Sequence, residues 1–302
     1  MKIIDNNQDN VTLLTELFGE VSEFMKTFKS VFEKYLIGEK RQRPFCRPDI
    51  CEIMTILIAF QIIGGQNFKQ YYKDIILQFH RKEFPDRVSY QRFAEIAPIA
   101  LIPLSVFLRF RIEMSEKTGL YVIDSAPLCV CENIRIPGHK VFKEPAERGK
   151  TSIGWFYGFR LHLVINHLGE LMAIHITAGN IDDRKPVSKM VKTLRGKLLG
   201  DKGYIKKESV KELFKQGLEF ITTIRKNMKQ NHSVFNRILL RKRSIIGTAD
   251  DLLRNYFQVE HSRHRSASGF MNNVPAALIA YTFYPTKPEM RGIAMQLPVI
   301  TK

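Results

Sequence analysis

Two short apolar runs, Leu120-Tyr121-Val122-Ile123-Asp124 and Lys197-Leu198-Leu199-Gly200-Asp201, each end abruptly in a carboxylate. An apolar run without alternation reads as a strand covered on both faces, the kind found in sheets with parallel neighbours. A strand that carries an acid to its C-terminal tip is how an open sheet offers an oxygen ligand to solvent. After Asp201, Gly203 lets the backbone turn away. For either acid alone a charged turn is the plainer reading. Two such tips in one chain ask for a single sheet in which both strands end together.

The segments between the two runs supply that sheet. Tyr157 to Asn166 alternates, with Phe159, Leu161, Leu163 and Ile165 on one side and Arg160, His162, Val164 and Asn166 on the other. Asn166-His167-Leu168-Gly169 makes a turn and Leu171 to Thr177 runs back, which predicts a hairpin. Asp182 or Asp183 can cap a helix in which Val187, Met190, Val191 and Leu194 fall on one stripe. A helix from about Lys206 to Gln216, Gly217 as its C-cap and a strand from Glu219 to Ile224 follow Asp201. The order is strand, hairpin, helix, strand, helix, strand. That is the ribonuclease H-like α/β arrangement, a mixed sheet with flanking helices in which the first and fourth strands are neighbours, so Asp124 and Asp201 should meet.

Residues from Val11 to about Lys117 read differently. Apolar spacings of three and four run from Val11 to Leu36 and break at Gly38, and a basic link (Lys40, Arg41, Arg43) suits a DNA backbone or solvent equally. Pro48-Asp49 starts a helix that ends at Gly64-Gly65. Asn67 to Phe79 is a third helix, and Ser89 caps a fourth that is interrupted near Pro98 and Pro103. The expected organisation is an all-helical domain over 1–117 for DNA binding, dimerisation or plain packing, an α/β domain over 118–285, and a tail over 286–302.

Charge indicates the partner. Lys and Arg number 47 against 30 Asp and Glu, a formal charge of +17, which suits a polyanion bound through released counterions. The basic residues Lys202, Arg225, Lys226, Lys229, Arg241, Arg243, Arg254, Arg263 and Arg265 cluster around and after the second acid and are candidates for gripping phosphates. The four cysteines, Cys46/Cys51 and Cys129/Cys131, lack zinc spacing and read as reduced thiols of a cytosolic protein. The acidic, polar N-terminus carries no signal peptide, and no apolar run reaches the length of a membrane span.

Two carboxylates a few ångströms apart stay ionised together only with a cation between them. Oxygen ligands without cysteine or histidine select Mg²⁺ or Mn²⁺. Two such ions about 4 Å apart activate a water or 3′-hydroxyl and stabilise the leaving oxygen of a phosphodiester. His162, His167 and His175 read as core or solvent residues, and Asp182-Asp183 as a helix cap near enough to support the site from behind.

At this point the chain resembles the DDE-type transposases of bacterial insertion sequences, and among them the insertion-sequence family numbered nine-eight-two. The resemblance rests on Val122-Ile123-Asp124-Ser125-Ala126-Pro127, Arg148-Gly149-Lys150-Thr151-Ser152 and Gly154-Trp155-Phe156-Tyr157-Gly158-Phe159-Arg160-Leu161-His162-Leu163. It continues through Thr177-Ala178-Gly179-Asn180-Ile181-Asp182-Asp183-Arg184, Gly200-Asp201-Lys202-Gly203-Tyr204, Arg225-Lys226-Asn227-Met228-Lys229 and Glu260-His261-Ser262-Arg263-His264-Arg265-Ser266. It implies two Asp and one Glu holding two Mg²⁺ ions, nicking of double-stranded DNA at terminal inverted repeats, joining of the 3′ ends to target DNA, and a homodimer in a bacterial cytoplasm, associated with the nucleoid. Asp124 and Asp201 match the two Asp.

The third acid departs from the pattern. The related chains have an Arg, three residues, the Glu, six residues, then Lys or Arg; here Arg243 and Arg254 hold the flanks and Gly247 holds the place of Glu. Thr248 could restart a helix after Gly247, which would leave Asp250 or Asp251 one turn on. Glu260 lies about 20 Å further along a continuous helix, too far to stand in. The expectation is therefore a transposase, or a DNA-binding relic of one with impaired catalysis; an RNA-cleaving nuclease is a cruder alternative.

Overall fold

The computed structural model describes residues 7–36, 48–64, 67–143, 145–152, 154–204, 207–223, 233–260 and 266–292. The chain forms two compact units, one of Met1–Arg111 with Asn255–Phe283 and one of Ile112–Arg254 with Tyr284–Lys302. The units therefore run differently from boundaries at 117 and 285. The helix Ala267–Phe283 buries Val274, Ala277, Leu278 and Tyr281, packs against a helix of the first unit, and so groups with it.

In the first unit every described element is helical, and the local sequence explains each start and stop. Helix α1 spans Asn7–Leu36 and α2 spans Ile50–Ile63. The Glu52 carboxylate accepts the Asp49 N–H at 2.8 Å, and Gly64 ends α2 with φ 82°. Helix α3, Phe68–Phe79, opens on Asn67, whose side chain accepts the Gln70 N–H, and widens into a π turn at Tyr72–Ile76. Helix α4, Tyr90–Glu113, is capped by Ser89 and tightens to a 3₁₀ turn at Ala97–Ala100, where Pro98 removes an amide donor. Stacked and tilted rings join α3 to α4, with Tyr72 and Phe93 centroids 4.6 Å apart. By length and composition α4 is apolar enough to cross a membrane, which the sequence reading missed because prolines interrupt the run. Its Phe93, Leu104, Phe107 and Leu108 are buried within the protein.

The second unit is built on one six-stranded sheet. Strands β1 (Leu120–Cys131), β2 (Glu147–Lys150), β3 (Trp155–Asn166), β4 (Leu171–Ala178), β5 (Gly196–Gly200) and β6 (Leu218–Thr222) lie in the order β2-β3-β1-β5-β6, with β4 also on β3. The predicted hairpin is β3–β4, antiparallel from Phe159 opposite Ala178 to Ile165 opposite Leu171. Pairing of β5 with β1 and with β6 is parallel. Tyr121, Ile123, Val164, Leu198 and Leu218 point to one face, where they bury with Val187, Val191 and Leu194.

Helices α5 (Val187–Met190) and α6 (Lys207–Lys215) precede and follow β5, while α7 (Val234–Lys242) packs on β6 and α8 (Ile245–Asp251) on β1. The stripe Val187, Met190, Val191, Leu194 is buried as its spacing required, but only its first turn is helical and Asp182 and Asp183 do not cap it. Pro186 occupies that position, and both aspartates are engaged elsewhere. The basic link at Lys40–Pro44 and the run Lys226–Lys229 fall outside the described residues.

Candidate active site

Asp124 does not end its own strand. Strand β1 continues to Cys131 because antiparallel β3 accompanies it throughout, from Asn166 opposite Tyr121 to Tyr157 opposite Cys131. It is β5 that stops at Gly200, so Asp124 sits where β1 loses its parallel neighbour. The register pairs Leu120 with Lys197, Tyr121 with Leu198 and Val122 with Leu199. Carried two steps on, it sets Asp124 opposite Asp201, on strands that run about 4.8 Å apart. A Cβ built on Gly200 would come 3.0 Å from Ile123 Cγ2, which fixes the intermediate step.

Alternation then assigns faces. Ile123 and Leu198 belong to the buried cluster, so Asp124 and Asp201 project to the other face, with Val122 and Leu199. That is the side α8 covers. Burial pushes the Asp124 carboxyl above the ordinary range; the Ser125 amide, which donates to its Oδ1 at 2.8 Å, and the nearby Arg243 guanidinium oppose this, while Asp201 and Asp250 add to it. Asp201 is more open, its side chain 46% exposed, and Arg243 lies 3.8 Å from its Oδ1.

On the opposite face a polar chain braces the same strand. The Ser125 hydroxyl donates to Asp183 at 2.9 Å, Arg160 pairs with both Asp183 oxygens at 3.0–3.1 Å, and Arg160 also donates to the Lys150 carbonyl at 3.0 Å. Asp183 thus ties the loop after β4 to β1 and β3; sequence reasoning saw it as a cap because a tertiary partner on another strand leaves no local signal. Asp182 binds the amide and guanidinium of Arg184, which hold its carboxyl down at about 2. His162 is wholly buried, shares a 2.9 Å hydrogen bond with Thr177, and is pushed down to about 4 by that burial against the pull of Asp183. Tyr204, buried after Asp201, has its hydroxyl pushed up by desolvation.

Gly247 lies inside α8, on its exposed side, where an added Cβ would meet nothing within 4 Å. The helix does not restart at Thr248. Its break falls at Arg243–Ser244, and the Ser244 carbonyl accepts from the amides of Gly247 and Thr248, so the first turn runs through the glycine. One turn on, Asp250 is the carboxylate that reaches Asp124 electrostatically, and Arg254 clamps it, donating to Asp250 at 2.8 Å and to the Pro127 carbonyl. Asp251 is exposed, and Glu260 belongs to the other compact unit.

Of the basic residues expected to grip phosphates, Lys202 and Arg241 are exposed, whereas Arg243 and Arg254 turn toward the acids. Arg225, Lys226, Lys229, Arg263 and Arg265 lie outside the described residues. Cys51, Cys129 and Cys131 form no disulfide among the described residues.

The donor set suits a hard divalent cation in kind: Asp201 and Asp250 act electrostatically on Asp124, all three are carboxylates, and the raised Asp124 would be relieved by positive charge. Among the described residues no group of three or more His, Cys, Asp or Glu is gathered closely enough to hold an ion.

The second unit is thus a mixed α/β sheet whose parallel register sets two aspartates abreast on one face, an arrangement that does not by itself fix a function. The family described as Transposase DDE domain matches residues 114–267, just over half of the chain. The chain belongs to this family. Among solved structures it is similar to the piggyBac transposase in its cryo-EM synaptic complex with hairpin DNA, at 13% identity and a TM-score of 0.39. That likeness covers 74% of this chain and 52% of the other, so the chain spans about half the length of that protein. None of the curated proteins matches.

Proposed function

We propose that this transposase cleaves and joins double-stranded DNA at the terminal inverted repeats of an insertion sequence, with Asp124 and Asp201 as the carboxylates that hold Mg²⁺ or Mn²⁺. The observation that carries this reading is the parallel register of β1 and β5, which sets the two acids abreast on one face. The strand order β2-β3-β1-β5-β6, with antiparallel neighbours on one side of β1 and parallel ones on the other, supports a ribonuclease H-like sheet.

When bound, the ion would activate a water or 3′-hydroxyl and stabilise the leaving oxygen of the phosphodiester. The protein's own residues prepare the site. The Ser125 amide fixes one Asp124 oxygen, and burial of that carboxyl keeps bulk water from competing for it. Arg243 balances charge at Asp201 and is placed to meet a DNA phosphate, while exposed Lys202 and Arg241 extend the basic surface. The residues Arg225, Lys226, Lys229, Arg263 and Arg265 complete it by composition. Helices of residues 1–117 would supply end recognition and pairing of two copies, since two DNA ends must be joined, in a bacterial cytoplasm at the nucleoid.

Gly247 favours a second reading, a copy that binds element ends but cuts them poorly, because glycine contributes no ligand where the resembling insertion-sequence chains have Glu. Mg²⁺-dependent nicking of a terminal-repeat duplex decides between them. Cleavage by the wild-type chain, abolished in Asp124→Asn and Asp201→Asn, supports the enzyme; cleavage only in Gly247→Glu establishes the impaired copy. Preference for RNA or hybrid substrates would instead point to a ribonuclease.

A further inference from the structure

The residues Arg148-Gly149-Lys150-Thr151-Ser152 and Trp155 belong to the motifs that carry the resemblance, yet the site around the acids does not use them. They form the hairpin between β2 and β3, with Lys150 opposite Trp155 and Arg148 opposite Tyr157. Residues directly opposite in a ladder share a face, as do alternate residues of one strand. Leu163 of β3 lies opposite Asp124, so Trp155, Lys150 and Arg148 are on the face of the sheet that carries that acid. The extended run of β3 from Leu163 back to Trp155 puts the hairpin about 26 Å from the level of Asp124. That is within one turn of a DNA duplex, about 34 Å.

Trp155 is the single tryptophan of the chain and is 61% exposed. Its backbone is nevertheless held on every side. Arg160 donates to the Lys150 carbonyl at 3.0 Å and Asn133 to the Trp155 carbonyl at 2.7 Å. The Thr151 amide closes the turn on the Gly154 carbonyl at 2.8 Å, and the Tyr157 hydroxyl donates to the Phe142 carbonyl at 3.1 Å. Lys150 Nζ stands 5.5 Å from the indole centroid, a cation beside a ring. A ring fixed in place before its partner arrives binds at a low cost in ordering.

The neighbours of the ring select that partner. Lys150 and Arg148 are exposed cations, whereas the core of a protein–protein contact is depleted of charge. Glu147, the acid of β2, alternates to the opposite face. The chain as a whole stands at +17. A flat group attached to an anion meets these demands, and a nucleotide is such a group: its base stacks on an indole and its phosphate pairs with Lys or Arg. Bases inside a duplex already stack on one another, so the ring selects a base that has left the stack.

We propose that Trp155 stacks on an unpaired nucleobase of the DNA partner, with Lys150 and Arg148 on the adjoining phosphates. The inference rests on DNA being the partner. Because the chain has one tryptophan, its emission reports on this ring alone. The full chain is titrated, at one salt concentration and without divalent ion, with three probes. These are a blunt duplex, the same duplex with a short deoxyadenylate overhang, and the same duplex with an abasic overhang. The adenylate overhang should quench the emission and bind about tenfold more tightly than the abasic one, as expected of one stacked base. Trp155→Leu, followed by the anisotropy of labelled DNA and checked for folding by its melting curve, should level the two overhangs. Trp155→Phe should keep part of the preference. Equal affinity of the wild type for the two overhangs, binding without quenching, or a preference that survives Trp155→Leu overturns this site alone. Emission that changes with protein concentration in the absence of DNA assigns the ring to a second copy and also overturns it. Failure to bind any of the three probes overturns the DNA reading and the site together.

Discussion

Ser125 and Asp183 are joined by a 2.9 Å hydrogen bond that crosses from β1 to the loop after β4, and the backbone amide of the same serine holds Asp124. One residue thus faces both ways across the sheet. Its hydroxyl is braced by Asp183, itself paired with an Arg160 side chain only 11% exposed, and its amide orients the carboxylate on the other side.

Asp183→Asn should therefore act at a distance. Arg160 would lose its ionic partner in a largely dry setting, at a cost of about 2 kcal/mol, less than for a fully buried pair because Asp183 is 31% exposed. The double variant with Arg160→Ala should cost less than the sum of the single ones, a coupling read by a urea-denaturation cycle. If the two losses add, the chain does not brace the strand.

His162 makes stability depend on pH. Its folded value near 4 lies below its ordinary 6.5, so the stabilisation is present above 6.5 and is lost as pH falls toward 4. By linkage the loss should reach about 2 kcal/mol at pH 5. His162→Gln, which can keep a bond to Thr177, should remove that step from denaturation midpoints measured between pH 7 and 5. Asp124 works with the opposite sign: its raised carboxyl is a cost when ionised, relieved as pH falls, and Asp124→Asn should stabilise the metal-free protein near neutrality.

Much of this was legible in the sequence, and for identifiable reasons. The β3–β4 hairpin and the β5 strand follow from local periodicity, and the β5 tip announces Asp201. The end of β1 was not legible: Ser125 to Cys131 continues as a strand only because β3 pairs with it, a partner distant in sequence. Asp183 was misplaced for the same reason, since capping is a local rule whereas its ligands are Ser125 and Arg160. Grouping of residues 255–283 with the N-terminal helices depends on which apolar faces meet, and hydrophobic pattern alone does not tell one partner from another.

Gly200 holds the two acids in register. A methyl there would come 2.8 Å from the Phe220 ring and 3.0 Å from Ile123. Gly200→Ala should cost about 1–3 kcal/mol as the ring or β5 gives way. Because Asp201 follows directly, divalent-ion binding, measured by calorimetry, should weaken more than in a variant of comparable stability loss in the other compact unit, such as Val21→Ala at a fully buried position. Equal ion affinity in the two variants would argue against the register as what positions Asp201.

Gly247 separates stability from catalysis. The position is exposed and open, with no atom within 4 Å of an added Cβ, so neither alanine nor glutamate should clash. Gly247→Ala should stabilise the protein by up to about 1 kcal/mol, by helix propensity and a less flexible unfolded chain, and should leave cleavage unchanged. Gly247→Glu should bring a smaller stability gain, together with tighter ion binding, because the new carboxylate starts one turn from Asp250 on the helix that packs against β1. Asp250→Asn distinguishes the existing acid from the missing one. If Asp250 serves as the third oxygen ligand of the wild-type chain, this variant should lower ion affinity on its own, and the loss should shrink once Glu is restored at 247. If its charge only balances Arg254, the variant should weaken the Arg254 contact to Pro127, lower the melting temperature, and leave ion affinity untouched. Calorimetric Mn²⁺ titration of the wild type, Gly247→Glu, Asp250→Asn and the double variant, read beside their melting curves, tells these outcomes apart without reference to nicking activity.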